Sequence, residues 1–167
     1  MILKYKKRVV IFGGGFISKN LIVELKNYKI KYYLIDRKFS DISKNKSVNK
    51  IKKIIKPNDI IIFIAAKAPV KNLNMFNENI LILNNVCEIL NQKKFQKVIY
   101  ISSDAVFADT KKKINEKSFK NPDSLHGLMH LYRENILSKY FKKLTIIRPT
   151  LIFGDKDPHN GYGPNSF

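Results

Sequence analysis

Apolar residues along this chain follow two alternating spacings, which predict strands and helices in turn. Short continuous apolar runs are typical of strands that are covered on both faces of a parallel sheet. Apolar residues that recur three and four positions apart are typical of amphipathic helices. The predicted strands are Arg8–Phe12, Lys31–Ile35, Asp59–Ala66, Lys97–Ser102 and Leu144–Ile147. The predicted helices are Phe16–Leu25, Val48–Ile55, Phe76–Leu90 and Pro122–Tyr140.

This order of elements predicts an α/β fold with a doubly wound parallel sheet. The 167 residues suffice for one domain with a sizeable core. The apolar run Ile60–Ala66 is far too short to cross a bilayer, and the start MILKYKKRVV lacks the apolar region of a signal peptide. The one cysteine, Cys87, excludes an internal disulfide, and we interpret it as helix packing. We therefore expect a cytoplasmic protein without a membrane span.

The formal net charge of +19 raises the question of a nucleic-acid partner. Arginine, the residue preferred for reading phosphates and bases, occurs only at positions 8, 37, 133 and 148. The lysines are scattered among asparagines and isoleucines, without an aromatic-interleaved stripe or the spacing of a zinc or helix-turn-helix motif. The composition therefore argues against nucleic-acid binding, although basic charge can still attract an anionic substrate.

The first predicted strand and helix are joined by a glycine-rich turn with the pattern G-x-G-x-x-S, which contains Gly13, Gly15 and Ser18. Glycine lets the backbone approach a pyrophosphate, which then lies at the helix N-terminus. Asp36 ends the second strand about twenty residues on, where a carboxylate binds a ribose 2′-hydroxyl and repels a 2′-phosphate. This arrangement favours NAD over NADP, and the neighbouring Arg37 weakens that preference. A glycine turn without any ligand is the alternative.

Five segments, taken in order, resemble motifs of the extended short-chain dehydrogenase/reductases, also called the NAD-dependent epimerase/dehydratase family. They are GGGFISKNL, DIIIFIAAKAPV, NENILILNNVCEIL, VIYISSDAVFAD and IIRPTLIFG. The resemblance covers nearly the whole chain and implies a Rossmann-type fold that binds NAD. The residues that it implies for cofactor binding are Gly13, Gly15, Phe16, Ile17, Asp36, Arg37, Ala65, Ala66, His130 and Pro149.

The resemblance also implies a catalytic group. Ser103 falls on the catalytic serine or threonine, which would hydrogen-bond the oxygen of the reacting sugar hydroxyl. The tyrosine and lysine of the family's Y-x-x-x-K pair are absent from the stretch that follows. Aligning Gly127 and Glu134 with the motif places His126 on the tyrosine and His130 on the lysine. The two histidines then have three interpretations: a metal pair, a degenerate site without catalysis, or a substitution that keeps function.

We favour retained function, because histidine exchanges a proton near neutrality without an activating lysine. His126 would take the hydroxyl proton, and His130 would bind the ribose hydroxyls. A metal pair needs a third protein ligand, which no motif supplies. Asp104 is either an acid near the sugar, as in sugar-nucleotide reductases and dehydratases, or a carboxylate that caps a turn. Tyr132 and Arg133 are interpreted as packing and as surface charge.

The end of the chain, DKDPHNGYGPNSF, is rich in glycine, proline and asparagine and predicts no further helix or strand. Family members are usually about twice this length, with a substrate-binding domain after this point. We therefore expect residues 1–150 to form the NAD-binding Rossmann domain and 151–167 to begin a substrate-binding domain that is otherwise missing. Uncovered apolar side chains are then expected at Ile152, Phe153, Tyr162 and Phe167. Such a surface predicts a homo-oligomer or a partner chain.

The resemblance implies an NAD-dependent nucleotide-sugar epimerase or dehydratase of polysaccharide biosynthesis, which transfers hydride between a sugar carbon and NAD. A nucleotide-sugar reductase or dehydrogenase is the alternative among enzymes. A non-catalytic NAD-binding module is the alternative outside catalysis, because the tyrosine, the lysine and the substrate domain are absent.

Overall fold

The computed structural model of the chain describes residues 7–110, 113–155 and 157. Its strands are Arg8–Phe12 (β1), Lys31–Ile35 (β2), Ile60–Phe63 (β3), Lys97–Ile101 (β4) and Leu144–Ile147 (β5). Its helices are Phe16–Asn27 (α1), Ser47–Lys52 (α2), Leu73–Leu90 (α3) and Leu125–Tyr140 (α4). A short 3₁₀ turn at Asp104–Val106 follows β4. Strands and helices therefore alternate as the apolar spacing predicts.

The five strands form one parallel sheet in the order β2-β1-β3-β4-β5. The chain passes from β1 to its neighbour on one side, β2, and then returns to the other side of β1 with β3. Phe12 and Phe63, the last residues of β1 and β3, are paired in register. The carboxyl ends of these strands therefore meet where the strand order reverses, which is where open α/β sheets bind ligands. The predicted doubly wound fold is confirmed.

Alternate strand residues pack against helices on opposite faces of the sheet. Phe12 belongs to a core cluster that includes residues of α2, α3 and α4, whereas Ile11 packs with Leu25 of α1. Both faces are thus covered, which explains why the strands are continuous apolar runs. Cys87 is buried in the first cluster, which confirms its interpretation as a packing residue. No helix within the described residues has the length and apolar character that a membrane crossing requires.

The third strand ends earlier than predicted. The apolar run continues to Ala66, but β3 stops at Phe63. The amides of Ile64 and Ala65 both donate to the carbonyl oxygen of Phe12, at 2.9 and 2.7 Å. Two donors on one acceptor interrupt the regular ladder, so the chain leaves the sheet there.

The starts of α3 and α4 differ from the predicted ones by three residues each, because polar side chains cap these helices. α3 begins three residues before the predicted start, since Asn72 Oδ1 accepts the Met75 amide at 3.0 Å. α4 begins three residues after the predicted start, since Ser124 Oγ accepts the Gly127 amide at 3.1 Å. Such caps satisfy amides that have no partner inside the helix and thereby define its first turn.

Candidate functional site

The glycine turn after β1 is held tightly between two neighbouring strand ends. Gly13 has a φ of +111°, and its amide donates to the Ile35 carbonyl at 2.9 Å. A Cβ atom at Gly13 would lie 2.7 Å from the Ala65 amide nitrogen, and one at Gly14 would lie 2.7 Å from the Asp36 Cβ. Both positions therefore require glycine, which brings the turn against the ends of β2 and β3.

The N-terminus of α1 opens directly from this turn. Gly15 is the N-cap, no side chain caps the helix, and nothing lies within 4 Å of where a Gly15 Cβ would be. Ser18 is buried and donates its hydroxyl hydrogen to the Gly13 carbonyl oxygen, so the serine stabilises the turn. The amides of Phe16 and Ile17 therefore lie at an open helix N-terminus, which is suited to bind phosphate.

Asp36 follows β2 beside the glycine turn. Its Oδ1 accepts the Phe39 amide at 2.9 Å, which orients the carboxylate, while Oδ2 lies on the side of Gly14. Arg37 is 71% exposed and reaches Glu78 at 3.6 Å. An open cleft of about 350 Å³ adjoins this pair, lined by Arg37, Asp41, Ser43, Lys44, Lys67, Glu78 and Leu81.

A second group of polar residues lies at the carboxyl end of β4. Ser103 Oγ accepts the Ala105 amide at 3.1 Å and donates to Asp104 Oδ1 at 3.1 Å. The Asp104 amide donates to the Pro149 carbonyl at 3.3 Å. A Cβ atom at Gly127 would lie only 1.9 Å from the Ala105 carbonyl oxygen, so α4 packs directly against the 3₁₀ turn. The predicted serine, aspartate and proline are thus brought to the first turn of α4.

The two histidines lie together on α4. Their rings are 4.7 Å apart and nearly perpendicular. His126 is partly buried, and its Nδ1 accepts the Val70 amide through a long hydrogen bond of 3.4 Å. Burial lowers the pKa of His126, the charge of Arg133 lowers it further, and Asp104 opposes the shift. His126 is therefore neutral near pH 7 and suited to accept a proton.

His130 is more deeply enclosed. It is 5% exposed, and its Nδ1 lies 2.7 Å from the Tyr100 hydroxyl. Burial lowers its pKa to about 2, with further contributions from His126 and Arg133. His130 is thus a neutral ring with one nitrogen already engaged, and Nε2 is the nitrogen left for a ligand.

Arg133 is fully buried, so its interpretation as surface charge was wrong. Its guanidinium donates to the Ala65 carbonyl at 2.9 Å and to the carbonyl and side-chain oxygens of Asn79 at 2.7 and 2.9 Å. Tyr132, interpreted as packing, is instead 41% exposed. The spacing contained the signal, because 126, 130 and 133 share one helix face.

A buried ion pair that no sequence pattern indicated fixes α4 to the sheet. Glu134 accepts two hydrogen bonds from Arg148, at 2.7 and 2.8 Å, and one from the Ser102 hydroxyl at 2.8 Å. Glu134 is 3% exposed, and the carboxylate raises the pKa of Arg148. The pair joins α4 to residues that follow β4 and β5, and so positions the histidines.

The structure also bears on the remaining predictions. Among the described residues, no group of three or more His, Cys, Asp and Glu side chains could hold a metal ion. Ala66 lies in the segment that leaves β3, next to the Ala65 carbonyl that Arg133 binds. Ile152 and Phe153 are 36% and 52% exposed, as predicted. Tyr162 and Phe167 lie outside the described residues.

The strand order, the glycine turn at its reversal point and the uncapped helix together define a Rossmann-type dinucleotide-binding domain. The sequence profile of the NAD dependent epimerase/dehydratase family matches residues 9–166, and the chain belongs to that family. NAD is therefore the cofactor of the family to which the chain belongs. The geometry of the site fits NAD, because the helix N-terminus can receive the pyrophosphate and Asp36 can receive a ribose hydroxyl.

Several proteins of known name are similar to parts of this chain. The N-acetyl-α-D-glucosaminyl-diphospho-ditrans,octacis-undecaprenol 4-epimerase of Escherichia coli O157:H7 is 29% identical over 93 residues, which are 52% of this chain and 28% of that protein. A dTDP-4-dehydrorhamnose reductase structure from Clostridium acetobutylicum is 25% identical with a TM-score of 0.78, over 92% of this chain and 56% of that one. The UDP-glucose 4-epimerase of Thermus thermophilus, solved with NAD, is 21% identical with a TM-score of 0.79, over 91% and 58%. The chain thus spans little more than half of these solved structures.

Proposed function

We propose that this chain is the NAD-binding portion of an enzyme that transfers hydride between a carbon of a nucleotide-linked sugar and NAD, as an epimerase or dehydratase does. The observation that carries the proposal is the packing of α4 against the 3₁₀ turn, which puts a neutral His126 near Ser103 and Asp104. This group lies at the same edge of the sheet as the glycine turn. A proton acceptor is thereby brought to the edge that is suited to bind a dinucleotide.

The residues of the chain would handle the proton and orient the sugar, while bound NAD would supply the hydride acceptor. The Val70 amide donates to His126 Nδ1, so the neutral ring carries its hydrogen on Nε2. That contact is long and therefore weak, so the substrate hydroxyl would displace the amide and give its proton to Nδ1. The Ser103 hydroxyl turns from Asp104 to the same substrate oxygen, and the Ala105 amide keeps the serine in place.

The proposal includes roles for the cofactor residues. Gly13, Gly15, Phe16 and Ile17 would receive the pyrophosphate at the start of α1. The nicotinamide and its ribose would be lined by Ala65, Ala66, His130 and Pro149. The contacts that support this set are the packing of Ala65 on Gly13 and the bond from the Asp104 amide to the Pro149 carbonyl.

Two other functions have some support. A nucleotide-sugar reductase or dehydrogenase is supported by the likeness to a dTDP-4-dehydrorhamnose reductase and by Asp104, whose carboxylate lies near His126. A non-catalytic NAD-binding module is supported by the histidines that replace the family's tyrosine and lysine. A role in polysaccharide biosynthesis follows from the first proposal, and the cytoplasmic location stays a prediction.

The substrate region and the partner are part of the same proposal. Residues 151–167 would begin the substrate-binding region, and residues 1–150 would form the cofactor domain. Exposed apolar side chains occur on the outer face of α4 and after β5, namely Leu128, Tyr132, Tyr140, Leu151, Ile152 and Phe153. These exposed side chains support self-association or a partner chain, since exposed apolar surface promotes contacts.

Single-turnover mixing of the chain with NAD and UDP- or dTDP-sugars tests the proposed reaction. An excess of protein over sugar reveals hydride transfer, as transient NADH absorbance, even where turnover is slow. His126→Phe should abolish this signal and leave the NAD affinity, measured by calorimetry, largely intact, because Phe cannot take a proton. His130→Ala should also weaken NAD binding, because it removes Nε2.

Tyr140→Phe is the matched control, since Tyr140 is 61% exposed at the end of α4, and it should change neither property. Full hydride transfer in His126→Phe would rule out the role assigned to that histidine. NAD binding without hydride transfer to or from any sugar nucleotide, also when a partner chain completes the substrate site, would favour the binding module over the enzyme.

A further inference from the structure

Arg133 carries a buried positive charge beside the two histidines. Its side chain is fully enclosed, and three of its hydrogen bonds go to the neutral oxygens of Ala65 and Asn79. Its Nε is buried without a hydrogen-bond partner in the described part of the chain, where no carboxylate forms an ion pair with it either. A buried charge without a counter-ion lowers stability. The buried charge of Arg133 therefore points to a role in the site that contains the two histidines.

Tyr100 connects this charge to His130. Tyr100 is fully buried on β4, its hydroxyl lies 2.7 Å from His130 Nδ1, and the charge of Arg133 acts on that hydroxyl. A nearby positive charge favours the orientation in which the tyrosine oxygen faces Arg133 and the hydroxyl hydrogen points to His130. Burial raises the pKa of Tyr100 to about 12, which keeps that hydrogen in place. A neutral His130 that accepts at Nδ1 carries its hydrogen on Nε2.

We propose that Arg133 and Tyr100 are positioning residues: Tyr100 directs the hydrogen of His130 to Nε2, and Arg133 holds a positive charge next to both histidines. His130 then presents a donor, suited to a ligand oxygen, on the side of the ring away from Tyr100. His126 stays unprotonated because a second positive charge is disfavoured there. The proposal rests on the proposed function only for the identity of the ligand.

Every element around His126 contributes to its protonation state. His130 and Arg133 lie on its own helix, Asp104 lies on the 3₁₀ turn, and the Val70 amide comes from the segment before α3. Arg133 opposes protonation of His126, whereas Asp104 favours it. Removing the arginine should therefore raise the pKa of His126, because Asp104 remains and favours the protonated ring.

Histidine ¹⁵N NMR of the whole chain tests this arrangement without any substrate. We expect His130 to show the Nε2–H tautomer and not to titrate from about pH 9 to about pH 5. Tyr100→Phe should turn that one tautomer into a mixture, because the hydrogen-bond donor to Nδ1 is lost. Arg133→Met should raise the pH at which His126 titrates, and Arg133→Lys should return the titration to that of the parent chain.

Two variants serve as matched controls. Tyr33→Phe removes a hydroxyl from the same sheet, and Lys139→Met removes a positive charge from the same helix, so both should leave the histidine signals unchanged. An Nδ1–H tautomer of His130 in the parent, or an unchanged tautomer in Tyr100→Phe, would overturn the assignment to Tyr100. An unchanged His126 titration in a folded Arg133→Met would overturn the assignment to Arg133. If that variant does not fold, a changed His126 titration in Arg133→Lys, which keeps the charge, overturns it instead.

The NMR test of the histidine network can succeed or fail independently of the test of the proposed reaction. If no sugar nucleotide reacts while the NMR signals behave as expected, the histidine network stands and the proposed reaction fails. If hydride transfer does occur, its pH profile in Arg133→Met should shift to higher pH on the acid side by the same amount as the His126 titration. A reaction with an unshifted profile would contradict the role of Arg133.

Discussion

Polar side chains at the carboxyl edge of the sheet take their directions from backbone amides close by. The Phe39 amide orients Asp36, the Ala105 amide orients Ser103, and the Val70 amide contacts His126. An acceptor that is already held loses little conformational freedom when a ligand arrives. The chemistry expected of each residue therefore depends on how strongly its backbone contact holds the oxygen or nitrogen.

Asp36 should make the chain bind NAD more tightly than NADP, because its carboxylate repels a 2′-phosphate and binds a 2′-hydroxyl. Asp36→Ala should narrow the difference between the two affinities, measured by calorimetry. Asp36→Asn should also narrow it while keeping a hydrogen bond to the ribose. Glu24→Ala, an exposed acid on α1, is the control and should leave the difference unchanged. Equal affinities of the parent chain for NAD and NADP would refute this prediction.

His130 should make the folding stability depend on pH. Burial lowers its pKa from 6.5 to about 2, so below pH 6.5 the unfolded chain binds a proton that the folded chain does not. Its contribution is fully present above pH 6.5 and is lost by up to about 1.4 kcal/mol per pH unit as the pH falls toward 2. His130→Gln should therefore flatten the fall in unfolding free energy between pH 6.5 and pH 4 in urea titrations. Lys139→Met should keep the parent slope, and equal slopes in parent and His130→Gln would count against the buried neutral ring.

At the scale of elements, the site depends on how closely α4 approaches the sheet. Its first turn contacts the 3₁₀ turn through Gly127, and its middle is tied to Arg148 through Glu134. Ser124 sets where the helix begins. These three contacts determine where the histidines lie relative to Ser103. The position of the helix and the proposed chemistry are therefore coupled.

Gly127→Ala tests this coupling. The added methyl group would lie 1.9 Å from the Ala105 carbonyl oxygen, so α4 or the 3₁₀ turn must move. We expect a loss of about 1–3 kcal/mol of unfolding free energy in urea titrations, as for other overpacked sites. Leu128→Ala, on the adjacent 46% exposed residue, should change stability by less than about 0.5 kcal/mol. A Gly127→Ala chain as stable as the Leu128→Ala chain would show that the contact is not tight.

At the scale of the whole molecule, the segment after β5 exposes apolar side chains. Leu151, Ile152 and Phe153 are 60%, 36% and 52% exposed, and they follow Arg148 and Pro149 after the end of β5. A nucleotide-sugar site needs walls on both sides of the cofactor, since ligand pockets enclose most of the ligand. The described residues supply the wall formed by the sheet edge and α4.

We therefore expect the 167-residue chain to bind NAD weakly, to turn over little or no sugar nucleotide, and to self-associate or need a partner chain. Sedimentation velocity with and without NAD measures the association. Phe153→Ser should reduce it, whereas Phe119→Ser, at an 86% exposed residue of a different loop, should not. A stable monomer with robust turnover would contradict the prediction.

Local patterns were sufficient for the parts of the molecule whose physics is local. Continuous apolar runs predicted the inner strands β1, β3 and β4, because a strand covered on both faces has no polar alternation. The glycine spacing and Asp36 predicted the turn at the strand reversal, because backbone approach and φ are properties of single positions. Family motifs placed Ser103, Asp104 and His126 in segments that the fold then brought together.

What the sequence by itself determined was the order of elements, the glycine turn and the family. The tertiary structure alone decided the burial of Arg133, the bond between Tyr100 and His130, and the ion pair of Glu134 with Arg148. Arg133 bonds residues 68 and 54 positions away, and Tyr100 bonds a residue 30 positions away. No spacing rule reaches so far, because the solvation of a charge depends on which distant segments the fold places around it.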